Sequence, residues 1–231
     1  MNTVIDTATT QYAFSFNEGD GHNKQLLGGK GANLCEMTQI GLNVPPGFVI
    51  STTACLAYLD SPERDLPDGL REQVEEQIRA LEKATGKGFG NPDNPLLVSV
   101  RSGSALSMPG MMDTILNLGL NSETLDGLIR QTGKERFGYD AYRRFIQLFG
   151  KVALGIADEK FDEPFEELKR REGVKADLGL SASHLKEVSD IFLQVVQEET
   201  GRPFPDNVFE QLEIAIKAVF GSWMGKRAVD Y

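Results

Sequence analysis

Hydrophobic and polar positions along the chain follow two periods. Tyr12, Phe14 and Phe16 alternate with Ala13 and Ser15, the two-residue period of a half-buried strand. After a polar turn, Leu34, Met37 and Ile40 recur every three residues, which predicts one face of a helix that Gly41 stops. Val44-Pro-Pro-Gly-Phe-Val-Ile50 reads as a rigid turn feeding a short strand, and Thr52 or Thr53 can then cap a helix through Leu59. Leu70, Val74, Ile78 and Leu81 predict an amphipathic helix that Pro67 opens and Gly86 closes, with a solvated charged face from Arg71 to Lys83. Behind the turn Asn91-Pro-Asp-Asn-Pro95, Leu96 to Val100 is a short apolar run that reads as a buried strand, and Thr114 to Leu118 is a second.

From Asn121 onward strand signals nearly vanish. Helices are predicted near 122–131, 135–154, 159–172 and 182–200, with Phe137, Ala141, Phe145, Leu148 and Val152 on the core face of the second. Gly201-Arg-Pro-Phe-Pro205 is a linker, and Asp206 can cap a helix burying Leu212, Ile216, Val219 and Trp223. Ala228 and Val229 suggest a strand just beginning. The pattern is that of an α/β (α+β) chain: an α/β subdomain over 1–120, a helical insert over 121–203, and a return to the α/β subdomain over 204–231.

With 231 residues the chain can bury roughly 70–75% of its unfolded surface. Its hydrophobic content of 40% and charged content of 25% are ordinary for a soluble globular protein. No apolar stretch approaches the ~18 residues that span a bilayer, and Met1 to Tyr12 hold no Lys or Arg, so the cytoplasm is the default expectation. A net charge of −10 argues against a nucleic-acid or membrane surface, although a few cations in a cleft can still hold a triphosphate. Cys35 and Cys55 match neither a redox pair nor a zinc site and read as buried free thiols. His22, in a polar stretch, and His184, in the first turn of a helix beginning near Ser181, read as surface residues.

Two segments carry candidate chemistry. Arg101 to Asp113, 13 residues between the two apolar runs, is far longer than the usual hairpin loop of about 2–5. It opens with a guanidinium at a strand end, a fork of donors suited to phosphate oxygens, and carries Gly103 and Gly110, where main-chain N–H groups can approach an anion. An ordinary surface loop whose arginine pairs with a carboxylate fits the same residues. The second is Leu26-Leu-Gly-Gly-Lys-Gly-Ala-Asn-Leu34, which places Lys30 in a glycine-rich turn at a helix N-terminus, favourable to an anion. It is not a Walker A loop, because Gly31 follows Lys30 and Lys24 stands where that motif needs glycine. A tight turn with a solvated lysine is the competing reading.

The run from Val98-Ser-Val-Arg-Ser-Gly-Ser-Ala-Leu-Ser-Met-Pro-Gly-Met-Met-Asp113 through Gly119 resembles the N-terminal ATP-binding region of the pyruvate, phosphate dikinases, over more than twenty residues. Leu27-Gly-Gly-Lys-Gly-Ala-Asn-Leu34 is similar to that family's N-terminal motif, whose lysine contacts ATP phosphates. The likeness covers nearly the whole chain, strongest at 26–50 and 96–120, and extends through Tyr142-Arg-Arg-Phe-Ile146 and Ala218-Val-Phe-Gly-Ser-Trp223.

The resemblance implies the first half of an ATP-grasp nucleotide-binding domain with an inserted helical subdomain. The family converts ATP, phosphate and pyruvate to AMP, pyrophosphate and phosphoenolpyruvate through a phosphohistidine. By the same resemblance Lys30 and Arg101 neutralise phosphate charge, and Gly110, Met111, Met112 and Asp113 form a loop that closes over ATP with main-chain donors. The carrier histidine of a swivelling domain, the pyruvate-binding domain and the carboxylates that hold Mg2+ lie beyond residue 231 in the family. The chain is therefore expected to be a fragment, and the full-length protein a homodimer. Two alternatives stay open: the same region of a phosphoenolpyruvate synthase, whose loop is more acidic than Met108-Pro-Gly-Met-Met-Asp113, and a non-catalytic nucleotide-binding module.

Overall fold

The computed structural model describes residues 10–103 and 114–223. Among these, residues 10–85 with Gly103 form one compact unit, and residues 86–102 with 114–223 form a second.

In the first unit a short strand, β1 (Ala13–Ser15), pairs antiparallel with β2 (Phe48–Ile50), and three helices accompany them: α1 (Lys24–Gln39), α2 (Thr52–Asp60) and α3 (Leu70–Thr85). Local chemistry sets the helix starts. The Asn23 side chain accepts the Leu26 N–H at 3.0 Å to cap α1. Ser51, one residue before the predicted cap, accepts the Ala54 N–H and caps α2. The predicted caps are engaged elsewhere: Thr53 Oγ1 lies 2.7 Å from Ser51 Oγ, and Thr52 donates to the Gln25 carbonyl at 2.6 Å. Helix α3 buries Leu70, Val74 and Ile78 as its spacing predicts. Gln73 on α3 fastens β1, accepting from the N–H groups of Tyr12 and Ala13 and donating to the Thr10 carbonyl.

The predicted face of α1 is wrong. Met37 is 40% and Ile40 68% exposed, whereas Leu27, Ala32 and Cys35 are buried against Phe14, Phe16, Leu26 and Val49. A spacing of three drifts around a helix of 3.6 residues per turn. Moreover, the side of α1 that meets β2 has room only for small residues: a Cβ on Gly31 would lie 2.8 Å from Val49 Cγ1.

The second unit holds the hairpin of β3 (Val98–Arg101) and β4 (Thr114–Leu118), followed by α4 (Ser122–Thr132), α5 (Glu135–Val152), α6 (Glu159–Arg171), a 3-10 turn (Asp177–Gly179), α7 (Ala182–Thr200) and α8 (Val208–Ser222). All four helices predicted between 122 and 200 are present. Their core is aromatic, with Phe145, Phe149, Phe161 and Phe192 fully buried and Phe161 meeting Phe192 edge-on at 5.1 Å. Helix α5 buries Ala141 and Phe145 of its predicted face, while Leu148 and Val152 are half-buried. Phe137 is 51% exposed, and Ala141, Tyr142, Phe145, Ile146 and Phe149 form the buried stripe. Gly138 lies on the same stripe, where α4 comes so close that a Cβ would collide with Ile129.

Helix α8 buries Leu212, Ile216, Val219 and Phe220, with Trp223 half-buried at its end. Its cap is Asn207, which accepts from the N–H groups of Phe209 and Glu210, and not the predicted Asp206. Buried Gln211 joins α8 to the end of β4: its amide donates to the carbonyls of Leu120 and Pro205 and accepts the Gly119 N–H. The strand expected at Ala228 and Val229 lies outside the described residues.

Candidate functional site

Lys30 owes its place to a break in α1. Gly28 has φ 68° and ψ 160°, which no helix contains, so a new helical segment opens at Gly29 and runs to Gln39. Only glycine adopts that conformation without strain. Lys30 stands in the first turn of this segment, at the positive end of its dipole, as the glycine-rich pattern predicts. Its side chain is exposed while its neighbours Gly31 and Ala32 are buried. Within the same unit Gly103 packs beside it: a Cβ there would meet the Lys30 Cβ at 3.5 Å.

Arg101 is the last residue of β3, exposed and paired across the hairpin with Thr114. Ser102, which follows it, is buried. Lys30 and Arg101 therefore belong to different units. Gly110, Met111, Met112 and Asp113, together with the lid role expected of their loop, lie outside the described residues.

Both cysteines are buried thiols outside any disulfide, and burial raises each pKa, that of Cys55 to about 12. His22 is exposed. His184 completes the cap of α7, its Nδ1 accepting the Ser181 N–H at 3.3 Å while Nε2 lies 3.3 Å from Glu172. Burial, and after it the charges of Asp206 and Asp190, push the Tyr142 hydroxyl up to about 12, which keeps it neutral. A cleft of about 220 Å³ in the first unit is lined by Phe16, Thr38, Val44, Pro46, Gln77 and Leu81 among others, with no charged side chain. It is smaller than the ~300 Å³ at which ligand pockets begin. Among the described residues no three His, Cys, Asp or Glu side chains gather as a metal site requires, and no helix is long and apolar enough to cross a membrane.

What this arrangement offers is two exposed cations on rigid supports, one at a helix start and one at a strand end. Sequence reasoning found both. It missed that Gly28 makes the helix start and that Gly31 exists for close packing, although the adjacent glycines before Lys30 were the available signal.

Comparison with known proteins identifies the family of the chain. Residues 24–66 and 62–231 match the family model described as the pyruvate phosphate dikinase AMP/ATP-binding domain. The chain is 55% identical over 221 residues to a pyruvate, phosphate dikinase of Entamoeba histolytica, covering 96% of this chain and 25% of that protein. It is 52% identical to a chloroplastic pyruvate, phosphate dikinase of Mesembryanthemum crystallinum, over 93% of this chain and 22% of the relative. With a pyruvate, phosphate dikinase of Rhizobium meliloti the identity is 50%, over 93% and 24%. The chain thus spans about a quarter of the length of these relatives. With a family model matching nearly all of it and relatives at half identity, the chain belongs to the pyruvate, phosphate dikinase family, in the region of the AMP/ATP-binding domain.

Proposed function

We propose that this chain is the ATP-binding part of a cytoplasmic pyruvate, phosphate dikinase. It acts as an ATP-grasp unit with a helical insert at 121–203, to which residues 204–231 return. The observation that carries the reading is the placing of Lys30 and Arg101: each is an exposed cation held by a buried frame, and each falls within the stretch that the family model matches. In the proposed reaction ATP, phosphate and pyruvate become AMP, pyrophosphate and phosphoenolpyruvate. The β-phosphoryl group moves to a histidine on a swivelling domain and from there toward a pyruvate-binding domain. Both lie outside this chain, in a protein that is a homodimer.

Phosphoryl transfer asks a protein chiefly for positioning and for neutralisation of charge that shifts along the phosphate chain. Lys30, a point charge on a flexible stem, follows that shift. Arg101, a planar fork, holds two oxygens at once. Main-chain donors of Gly110, Met111, Met112 and Asp113 would complete the cradle. The Mg2+ that accompanies ATP is assigned to carboxylates outside the described residues.

Kinetics of the complete enzyme test the assignment. Arg101→Ala is expected to weaken ATP use much more than Lys134→Ala, a change to an exposed lysine beside α5. A lost charged hydrogen bond costs roughly 1.5–3 kcal/mol, or about tenfold to a hundredfold in affinity. Equal kinetics for the two variants would overturn the site. A requirement for inorganic phosphate separates this reaction from that of a phosphoenolpyruvate synthase.

A further inference from the structure

β3 and β4 do not keep one register. Val98 pairs with Leu118, but Val100 pairs with Ile115 and Arg101 with Thr114. Between the first two pairs β3 contributes one residue, Ser99, and β4 contributes two, Leu116 and Asn117. The extra residue is a β-bulge, and Asn117 absorbs it with φ 59°, a left-handed conformation that Asn tolerates better than most side chains. Its amide Nδ2 faces the Ala141 carbonyl of α5 at 3.5 Å, the outer limit of a hydrogen bond.

Ile115 and Leu118 are three residues apart, an odd spacing that sends side chains to opposite faces of a regular strand. Both are fully buried, while Leu116 between them is 37% exposed. The bulge lets them share the core face. On β3, half-buried Val98 and Val100 alternate with exposed Ser99 and Arg101. Arg101 and Thr114 thus stand on the face turned from the core. Continuing the register of Val98 and Leu118 without a bulge would instead set Arg101 opposite Ile115. Cross-strand partners share a face. Either the guanidinium would then turn inward at high desolvation cost, or Ile115 would leave the core.

We propose that Asn117 is a positioning residue for nucleotide binding: by holding the bulge it keeps Arg101 on the open face at the mouth of the long loop. This rests on the reading of Arg101 as a phosphate ligand. The two ideas separate in one experiment on the complete enzyme, with Mg-ATP affinity, thermal midpoint and a crystal structure of the hairpin measured for each variant. Asn117→Val, a β-branched residue at positive φ, is expected to weaken Mg-ATP binding by at least about tenfold, the order of loss that follows a misplaced ligand group. Asn117→Ala, a milder change, should move affinity in the same direction and replaces Asn117→Val if that variant does not fold. Asn117→Gly, which keeps the left-handed conformation, should stay within about twofold of the parent. Phe192→Leu on α7 should lower the midpoint without changing affinity. Unchanged affinity in Arg101→Ala would overturn the phosphate reading and this proposal with it. Weakened binding in Arg101→Ala but not in Asn117→Ala or Asn117→Val, or equal losses in the Gly and Ala variants, would overturn the positioning role alone.

Discussion

At Gly31 the α1 backbone approaches β2 so closely that a single methyl group would lie 2.8 Å from Val49 Cγ1, well inside carbon contact distance. Gly31→Ala is therefore expected to destabilise the protein by about 1–3 kcal/mol, the usual cost of overpacking. Val49→Ala should relieve that clash, so a double-mutant cycle by urea denaturation should show a coupling well above the ~0.5 kcal/mol scatter of independent sites. Strict additivity would mean that α1 moves aside instead. Residue-level chemistry was the most readable layer. Lys30 and Arg101 stand where glycine spacing and a strand end put them, and Cys35 and Cys55 are the buried thiols expected. The conformations of Gly28 and Asn117 were not readable, because a positive φ is imposed by what the neighbouring strands and helices require.

At the scale of elements, helix existence followed from periodicity and helix starts from short polar side chains, but the choice among adjacent candidates did not. At α8 the structure selects Asn207 over Asp206, and the Asn207 side chain accepts from Glu210 N at 3.1 Å and Phe209 N at 2.9 Å. Asn207→Ala is expected to cost about 1 kcal/mol and Asp206→Ala much less, as thermal midpoints of the two variants would show. Gln211 carries a larger load. Its buried amide makes three hydrogen bonds, so Gln211→Ala leaves the Gly119 N–H and two carbonyls without partners, at roughly 1–3 kcal/mol for each group left unsatisfied. Hydrogen exchange at Gly119 should accelerate in that variant if the bond holds the end of β4. The predicted face failed at Met37 and Ile40 on α1 and at Phe137 on α5, while Ala141 and Phe145 of α5 are buried as predicted, and close packing at Gly31 and Gly138 could not be read from the large apolar residues alone.

For the molecule as a whole, the second unit contains a charge that its core must neutralise. Arg143 is only 3% exposed, lies 4.4 Å over the Phe165 ring and binds Asp140 at 2.7 Å, with Asp177 at 3.5 Å. Burial pushes the Asp140 carboxyl up, but Arg143 and Arg144 together outweigh it and hold its pKa below the ordinary value. A carboxylate depressed in the folded state adds stability that is complete above its unfolded pKa, about 3.9, and is lost as pH falls through the folded one. Asp140→Asn should therefore be less stable than the parent at neutral pH, and the gap in denaturation midpoint should close below about pH 4. A gap that persists unchanged in acid would show that Asp140 acts by packing and not by charge. The sequence by itself determined the inventory: which segments are helix or strand, where the long loop falls, which two cations stand beside glycines, and the family to which these runs belong. Those properties are local, set by periodicity within one element and by short-range backbone chemistry. Tertiary structure alone decided that β1 and β2 gather with α1 to α3 while β3 and β4 gather with the later helices, which face each helix buries, and that a bulge at Asn117 turns Arg101 outward. Each of these depends on how closely two distant stretches of backbone can approach, and that distance is fixed by both partners at once.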